Sequence, residues 1–436
     1  MGNIQSFLPN WCKGKFLRNV VTLVSGTAIA QAASLLFLPL ITRLYGPEAF
    51  GGLGYFSSLL GFLTPLAAFC YPLALVLPKR RSEAKVIFDL SLKLALVMSF
   101  VTGVGLFLIE LFFDRIVPFN GSYFFVPIGM FLSFCVMAYT QWAIKYGRFR
   151  LVALVTILTA LGAGSAKVIF GYYYPSAVTL ISISVFILIV NVVVFSVNLR
   201  AGVKLTDILA VKKRHLAVAK KYIRFPLYRT PHAMMAVVSQ TAPIFLLTAF
   251  YGAKYAGFFA LTRTVLGAPV TLIGKAVYDA SYPKIAQRYN EGQANLQFVI
   301  KVTLGLAALS VFPLIIVFFA GGYIFEFLFG GEWKTSGIYA AWMAIWFAFN
   351  FLNKAAAAAV SVYGLDGFLF RNGLLNMVLS LVGFYLGALL FESDVASVAM
   401  FSLFGVVCQC FLIIKVVQVI RSSDKLKLSK LEASNS

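Results

Sequence analysis

Long apolar stretches separated by short polar breaks run the length of this chain. They fall at roughly Phe16–Leu44, Phe50–Leu77, Lys85–Phe113, Tyr123–Tyr146, Phe149–Tyr172, Ala177–Leu199, Phe225–Tyr251, Ala256–Tyr282, Leu296–Ala320, Ser336–Tyr363, Phe368–Phe391 and Val395–Ile420. A spanning helix needs about 20 mostly apolar residues, because hydrocarbon offers the backbone no hydrogen-bond partner. The pattern predicts an all-α polytopic membrane protein with twelve transmembrane helices.

Two stretches of the pattern nearly repeat. "LYGPEAFGGLGYFSSLLGFL" starts at Leu44 and "FYGAKYAGFFALTRTVLGAP" at Phe250. Tyr45, Gly46, Gly51 and Gly61 align without a gap on Tyr251, Gly252, Gly257 and Gly267. Six spans separate the copies, so both helices that follow run in the same direction. This is the signature of a parallel repeat: two pseudo-symmetric six-helix lobes related by an axis along the membrane normal. The expected division is an N-terminal lobe over 1–199, a basic interlobe linker over 200–224, a C-terminal lobe over 225–420 and a basic tail over 421–436.

Charge orients the spans. The chain has 37 Lys and Arg against 15 Asp and Glu. If the N-terminus is cytoplasmic, the outer loops hold only Arg43, Arg115, Lys254 and Lys334, and most other cations fall on the inner side. The positive-inside bias therefore predicts both termini in the cytoplasm. The net charge of +22 is explained by topology and anionic headgroups. No nucleic-acid partner is implied, since no soluble domain interleaves basic and aromatic residues.

Composition agrees: the chain is 61% hydrophobic and 12% charged, where soluble domains carry about 25% charge. Five cysteines, mostly in apolar runs, and two histidines make neither a disulfide framework nor a metal site. No Walker motif or GxSxG is present, so no catalytic centre and no cofactor is expected.

Seven cations fall inside the spans: Lys93, Lys167, Arg229, Arg263, Lys275, Lys301 and Lys354. Each costs about 2.5–3.5 kcal/mol at the bilayer centre on the insertion scale. Arg229, Lys275 and Lys301 lie near inner edges, where a long stem can snorkel. Lys93 has Asp89 four residues earlier, which suggests an ion pair. Arg263 and Lys354 lie deeper. Asn350, Lys354 and Ser361 share a helix face, beside a run of alanines from Ala355 to Ala359 that is small enough to leave space. Lys167 shares its face with Thr156, Ala160 and Ala163. Gln31 and Gln240 are uncharged but costly in lipid. These residues are expected to line a water-filled, cationic cavity suited to phosphate or pyrophosphate. A pump for organic cations would need buried carboxylates instead.

The second-lobe segment from Tyr222, "YIRFPLYRTPHAMMAVVSQTAPIFLLTAFYGAKYAGFFALTRTVLGAPVTLIGKAVYDASYPKIAQ", carries a specific resemblance. So do "AQAASLLFLPLITRLYGPEAFG" from Ala30 and "LALVLPKR" from Leu73. Over essentially its whole length the chain resembles the polysaccharide-transport branch of the multidrug/oligosaccharidyl-lipid/polysaccharide (MOP) exporter superfamily. Members often carry a Glu before the "AL.LP" segment, where this chain has Cys70-Tyr71-Pro72.

The resemblance implies a flippase of the bacterial inner membrane. Its cargo would be oligosaccharide repeat units on undecaprenyl pyrophosphate, moved by alternating access for O-antigen, capsule or exopolysaccharide. It also implies a glycan polymerase and a chain-length regulator as partners, besides membrane lipids. In that picture Arg263, Lys354 and Lys167 contact the cargo anion, with Arg18, Arg43, Asn350, Gln31 and Gln240 as further candidates. Competing readings are a MATE-like drug/cation antiporter and a peptidoglycan-precursor flippase of the same superfamily, the latter commonly with two more C-terminal spans. A non-transporting scaffold would not need cations deep in helices. The major-facilitator fold is disfavoured by "LPKRRSEAK" in place of its Gly-Asp-Arg-rich loop.

Overall fold

The computed structural model describes residues 15–78, 80–112, 124–199, 213–223 and 225–435. The side chains of 15–20, 76, 228, 232, 236 and 426–435 lie outside this description, Arg18 among them. The helices are α1 (Lys15–Ala67), α2 (Arg81–Phe112), α3 (Phe125–Lys145), α4 (Phe149–Tyr173), α5 (Ala177–Leu199), α6 (Lys213–Lys221), α7 (Thr230–Tyr251), α8 (Ala253–Asn290), α9 (Leu296–Phe329), α10 (Lys334–Val360), α11 (Asp366–Phe391) and α12 (Asp394–Asn435). Eleven of them are long and apolar enough to cross a membrane among the described residues. The first is two helices joined at Gly46, whose φ of 66° and ψ of 170° break the helical path. Twelve spanning segments result, as the hydrophobic pattern predicts.

Contacts divide the described chain into two compact units. The first comprises residues up to Tyr45 together with Phe56–Met234, and the second Gly46–Tyr55 together with residues from Met235 onward.

The repeated turns have a physical role inside the second unit. Gly46 and Gly252 occupy the same repeat position, and both have positive φ, at 66° and 102°. Such a backbone is open to Gly and strained for other residues. One turn further on, a Cβ at Gly51 would lie 1.8 Å from the Ala253 carbonyl oxygen, and a Cβ at Gly257 would lie 1.9 Å from the Pro47 carbonyl oxygen. The two helix starts therefore pack backbone to backbone, each copy's glycine admitting the other copy's first turn. Small residues drive such close approach in lipid, where no hydrophobic effect pulls helices together.

Two boundaries differ from the hydrophobic pattern. The second span ends at Ala67 rather than Leu77. Phe69 and Cys70 adopt positive φ, and a short tight helix follows at Tyr71–Val76. Pro72 explains the break, since proline disfavours helical geometry in the residue before it and lacks an N–H. The seventh span begins with a widened turn at Phe225–Arg229, where Pro226 and Pro231 remove backbone donors, and α7 proper starts at Thr230. The alanine run also departs from expectation. Ala355, Ala356, Ala358 and Ala359 are buried in a core with Ile285, Val299, Leu412 and Val416. Their small size serves close helix packing rather than open space.

In the first unit, α6 is fastened onto the base of α2. His215 is buried and lies 3.0 Å from the Asp89 carboxylate, which also pairs with Lys93 at 3.2 Å. The Lys93–Asp89 pair expected from the spacing is therefore formed. Lys221 pairs with Glu83 at 2.5 Å, Tyr222 donates to Glu83 at 3.1 Å, and Tyr71 donates to the Ala219 carbonyl at 3.0 Å. Lys145 donates to the carbonyls of Leu75 and Pro78, at 2.8 and 2.6 Å, so the loop carbonyls freed by the Pro72 break are satisfied by a charged donor. In the second unit, Asp424 of α12 accepts the N–H groups of Asn295 and Leu296, each at 2.9 Å. This carboxylate caps α9 from another helix, satisfying donors that a helix start leaves unpaired.

Candidate functional site

Helices α8 and α10 run in the same direction. Thr262 of α8 donates to the Ser336 carbonyl at 2.8 Å. Further along, Gly267 faces Phe347, and Gly274 faces Lys354. Arg263, Gly267 and Gly274 are spaced by four and seven residues, so they form one stripe on α8.

Four of the sequence candidates gather along this stripe, as two pairs. Arg263 is half-buried and its guanidinium donates to the Gln240 side-chain oxygen of α7 at 3.1 Å. Lys354 is half-buried and donates to the Asn350 side-chain oxygen, one turn earlier on α10, at 2.9 Å. Its stem lies over Gly274, where a Cβ would sit 2.9 Å from Cε and 3.2 Å from Cγ. Gly274 thus provides the seat for the lysine stem, a role that sequence reading missed. Its signal was the seven-residue step Gly267 to Gly274 on the face that carries Arg263. From Arg263 to Gly274 the helix rises about 16 Å.

The electrostatics of the two cations are alike. Neither has an acidic partner among the described residues. Each is held by the oxygen of a neutral amide, which orients the charge without cancelling it. A hydrogen bond to a charged group is worth about 1.5–3 kcal/mol net. The stripe therefore retains positive potential and donor capacity for an incoming anion. Arg can offer a planar fork to phosphate, and Lys a point charge.

The other candidates belong to the first unit. Lys167 is half-buried on α4, and its backbone carbonyl accepts from the Tyr45 hydroxyl at 2.9 Å. Gln31 has a buried side-chain oxygen with no hydrogen-bond partner among the described residues. Arg43 is exposed. The α1 helix passes through position 18, but the Arg18 side chain lies outside the described residues. Arg229, Lys275 and Lys301 are exposed.

An apolar cavity of about 230 Å³ opens between α8, α9 and α10, lined by Pro269, Ile273, Pro313, Phe347 and Phe351 among others. None of the cationic candidates lines it. Phe347, which lines it, also lies against Gly267 of the stripe.

Residues 40–337 match the family model described as "Polysaccharide biosynthesis protein". The chain belongs to this family. Its fold is that of the MOP superfamily. It is similar to the lipid II flippase MurJ in its inward closed conformation, with a TM-score of 0.70 and 12% identity over 95% of this chain and 92% of MurJ. It is also similar to an inward-facing multidrug resistance MATE family transporter of the MOP superfamily, with a TM-score of 0.65 and 11% identity over 92% and 96% of the two chains. The eukaryotic MATE transporter AtDTX14 follows, with a TM-score of 0.57 and 12% identity over 94% and 99%. At these identities the likeness concerns the fold alone. No curated protein sequence matches the chain.

Proposed function

We propose that this protein is a flippase of the bacterial inner membrane that translocates undecaprenyl-pyrophosphate-linked oligosaccharide units by alternating access, for O-antigen, capsule or exopolysaccharide synthesis. It performs transport, not covalent chemistry. The observation that carries the reading is the pair Arg263 and Lys354. Two half-buried cations, neutralised by no acid among the described residues, lie along one stripe of α8, Arg263 on the stripe itself and Lys354 of α10 seated on its Gly274, in a member of a polysaccharide biosynthesis family. Hydrophilic sugars cannot cross hydrocarbon unaided, because each unpaired polar group costs several kcal/mol there. A pyrophosphate is the part of such a cargo with the strongest claim on Arg and Lys. The distribution of Lys and Arg supports cytoplasmic termini, which would bring the basic side of the protein to the face where such cargo is made. A glycan polymerase and a chain-length regulator are the partners this role calls for.

Reconstitution tests the reading against its rivals. Purified protein in liposomes should move a polyprenyl-pyrophosphate oligosaccharide between leaflets and leave an organic-cation dye untransported under an imposed ion gradient. Dye transport without cargo movement would favour the drug/cation antiporter. Movement of a peptidoglycan precursor in preference to other oligosaccharide-lipids would favour the precursor flippase.

A further inference from the structure

The stripe on α8 does not end at the seat of Lys354. Tyr278 follows Gly274 by four residues and Tyr282 follows Tyr278 by four more, so the spacing that joins Arg263, Gly267 and Gly274 carries on through two aromatic rings. The rings are parallel to within 9°, with centroids 6.3 Å apart. Tyr278 is half-buried and packs against the core that holds Ala355, Ala358 and Ala359 of α10. The small alanines give its ring a flat bed. Tyr282 is 41% exposed, so the pair is fixed on one side and open on the other. Neither hydroxyl makes a hydrogen bond among the described residues.

The charges change sign along the same line. As far as Lys354 the stripe presents cations held by neutral amides. Beyond it the Asp279 and Asp366 carboxylates both lie close enough to Tyr278 to act on it through their charge. Ser361, seven residues past Lys354 on α10, donates to Asp366 at 2.8 Å. Asp279, Ser361 and Asp366 are all exposed. A second phosphate would be repelled here. A sugar would not: its apolar C–H face packs on the electron-rich face of an aromatic ring, and its hydroxyl groups donate to carboxylates. Tyr278 and Tyr282 lie about 6 and 12 Å along α8 from Gly274, within reach of the first sugars joined to a pyrophosphate held at Lys354.

The geometry points to a sugar-binding platform, in which Tyr278 and Tyr282 pack on the first rings of the cargo glycan and Asp279 and Asp366 accept from its hydroxyl groups. The inference rests on the cargo reading and adds to it a subsite that senses the glycan rather than the phosphates.

The test is thermal unfolding of the purified full-length protein in detergent, titrated with undecaprenyl pyrophosphate, bare or carrying one N-acetylglucosamine. A ligand that binds only the folded state raises its apparent stability by mass action. Both lipids should stabilise the native protein, and the sugar-bearing one should saturate at a concentration lower by about threefold or more, the scale of one packed ring. Tyr282→Ala removes the exposed ring and leaves Tyr278 on its bed. It should erase the advantage of the sugar while the bare lipid binds as before. Tyr282→Phe should keep most of the advantage, and Asp279→Asn should reduce it. Equal saturation by the two lipids in the native protein overturns the platform, as does an advantage that survives Tyr282→Ala or an equal loss of both lipids in that variant. If the native protein responds to neither lipid, the cargo reading itself fails and the platform falls with it.

Discussion

The reciprocal glycines at the repeated turns give a sharp energetic expectation. Gly51→Ala would place a methyl group 1.8 Å from the Ala253 carbonyl oxygen, and Gly257→Ala would place one 1.9 Å from the Pro47 carbonyl oxygen. Ordinary contact between such atoms begins near 3.4 Å, so each helix start must retreat by more than an ångström. The obstacle in both cases is backbone, which cannot rotate aside as a side chain could. Overpacking of this kind costs about 1–3 kcal/mol, occasionally more, and each single variant belongs at or above the top of that range. The two clashes share one interface. Once the first methyl has pushed the helix starts apart, the second enters space already opened. The double variant should therefore cost about as much as either single variant, giving a coupling energy of about 3 kcal/mol or more in a double-mutant cycle, where independent sites add to within about 0.5 kcal/mol. Unfolding half-lives in detergent at fixed temperature provide the readout, since large membrane proteins often unfold irreversibly. Additive effects, or a single variant indistinguishable from the native protein, would refute the reciprocal packing.

Other outcomes follow from single contacts. Asp424→Ala strips the acceptor from two backbone N–H groups at the start of α9. It should destabilise by about 2–5 kcal/mol, with Asp424→Asn recovering much of the loss, in the same unfolding assay. Burial, then the nearby Lys93 ammonium, pushes the His215 imidazole below its ordinary range, against the opposing pull of Asp89. The folded state thus binds the proton more weakly than the unfolded chain, so His215 contributes stability that is present above about pH 6.5 and lost as pH falls below it through the folded value. Melting curves between pH 8 and pH 5 should show that loss, and His215→Gln should flatten it. Gly274→Leu should displace the Lys354 stem and lower cargo movement about as much as Lys354→Met does, while Gly274→Ala, which meets a flexible side chain rather than backbone, should be far milder.

Much of this architecture is legible in the sequence because lipid imposes a single rule on every span. Twelve apolar runs become twelve helical segments, and the Tyr45-Gly46 and Tyr251-Gly252 copies become two matching turns. The misread points are places where local backbone chemistry outweighs hydropathy. Leu73 to Leu77 are as apolar as any span, yet Pro72 and the positive φ of Cys70 take them out of the helix. The alanine run beside Lys354 looked like room for water, and close packing of α10 fills it. Arg263 and Lys354 stood out in the sequence because a charge in lipid is conspicuous. Their amide partners were nameable, but Gly274 became visible only when α8 and α10 were set in register.

The central claim is that Arg263 and Lys354 hold the anionic group of a lipid-linked cargo. Its most direct measurement is leaflet-to-leaflet movement of a polyprenyl-pyrophosphate oligosaccharide in liposomes carrying native protein, Arg263→Gln, Lys354→Met or the double variant, each matched for folding by its unfolding temperature. The account expects movement by native protein, a loss of about tenfold or more in each single variant, as befits one charged hydrogen bond, and a further loss in the double variant. Native rates in the double variant, with folding intact, would contradict it.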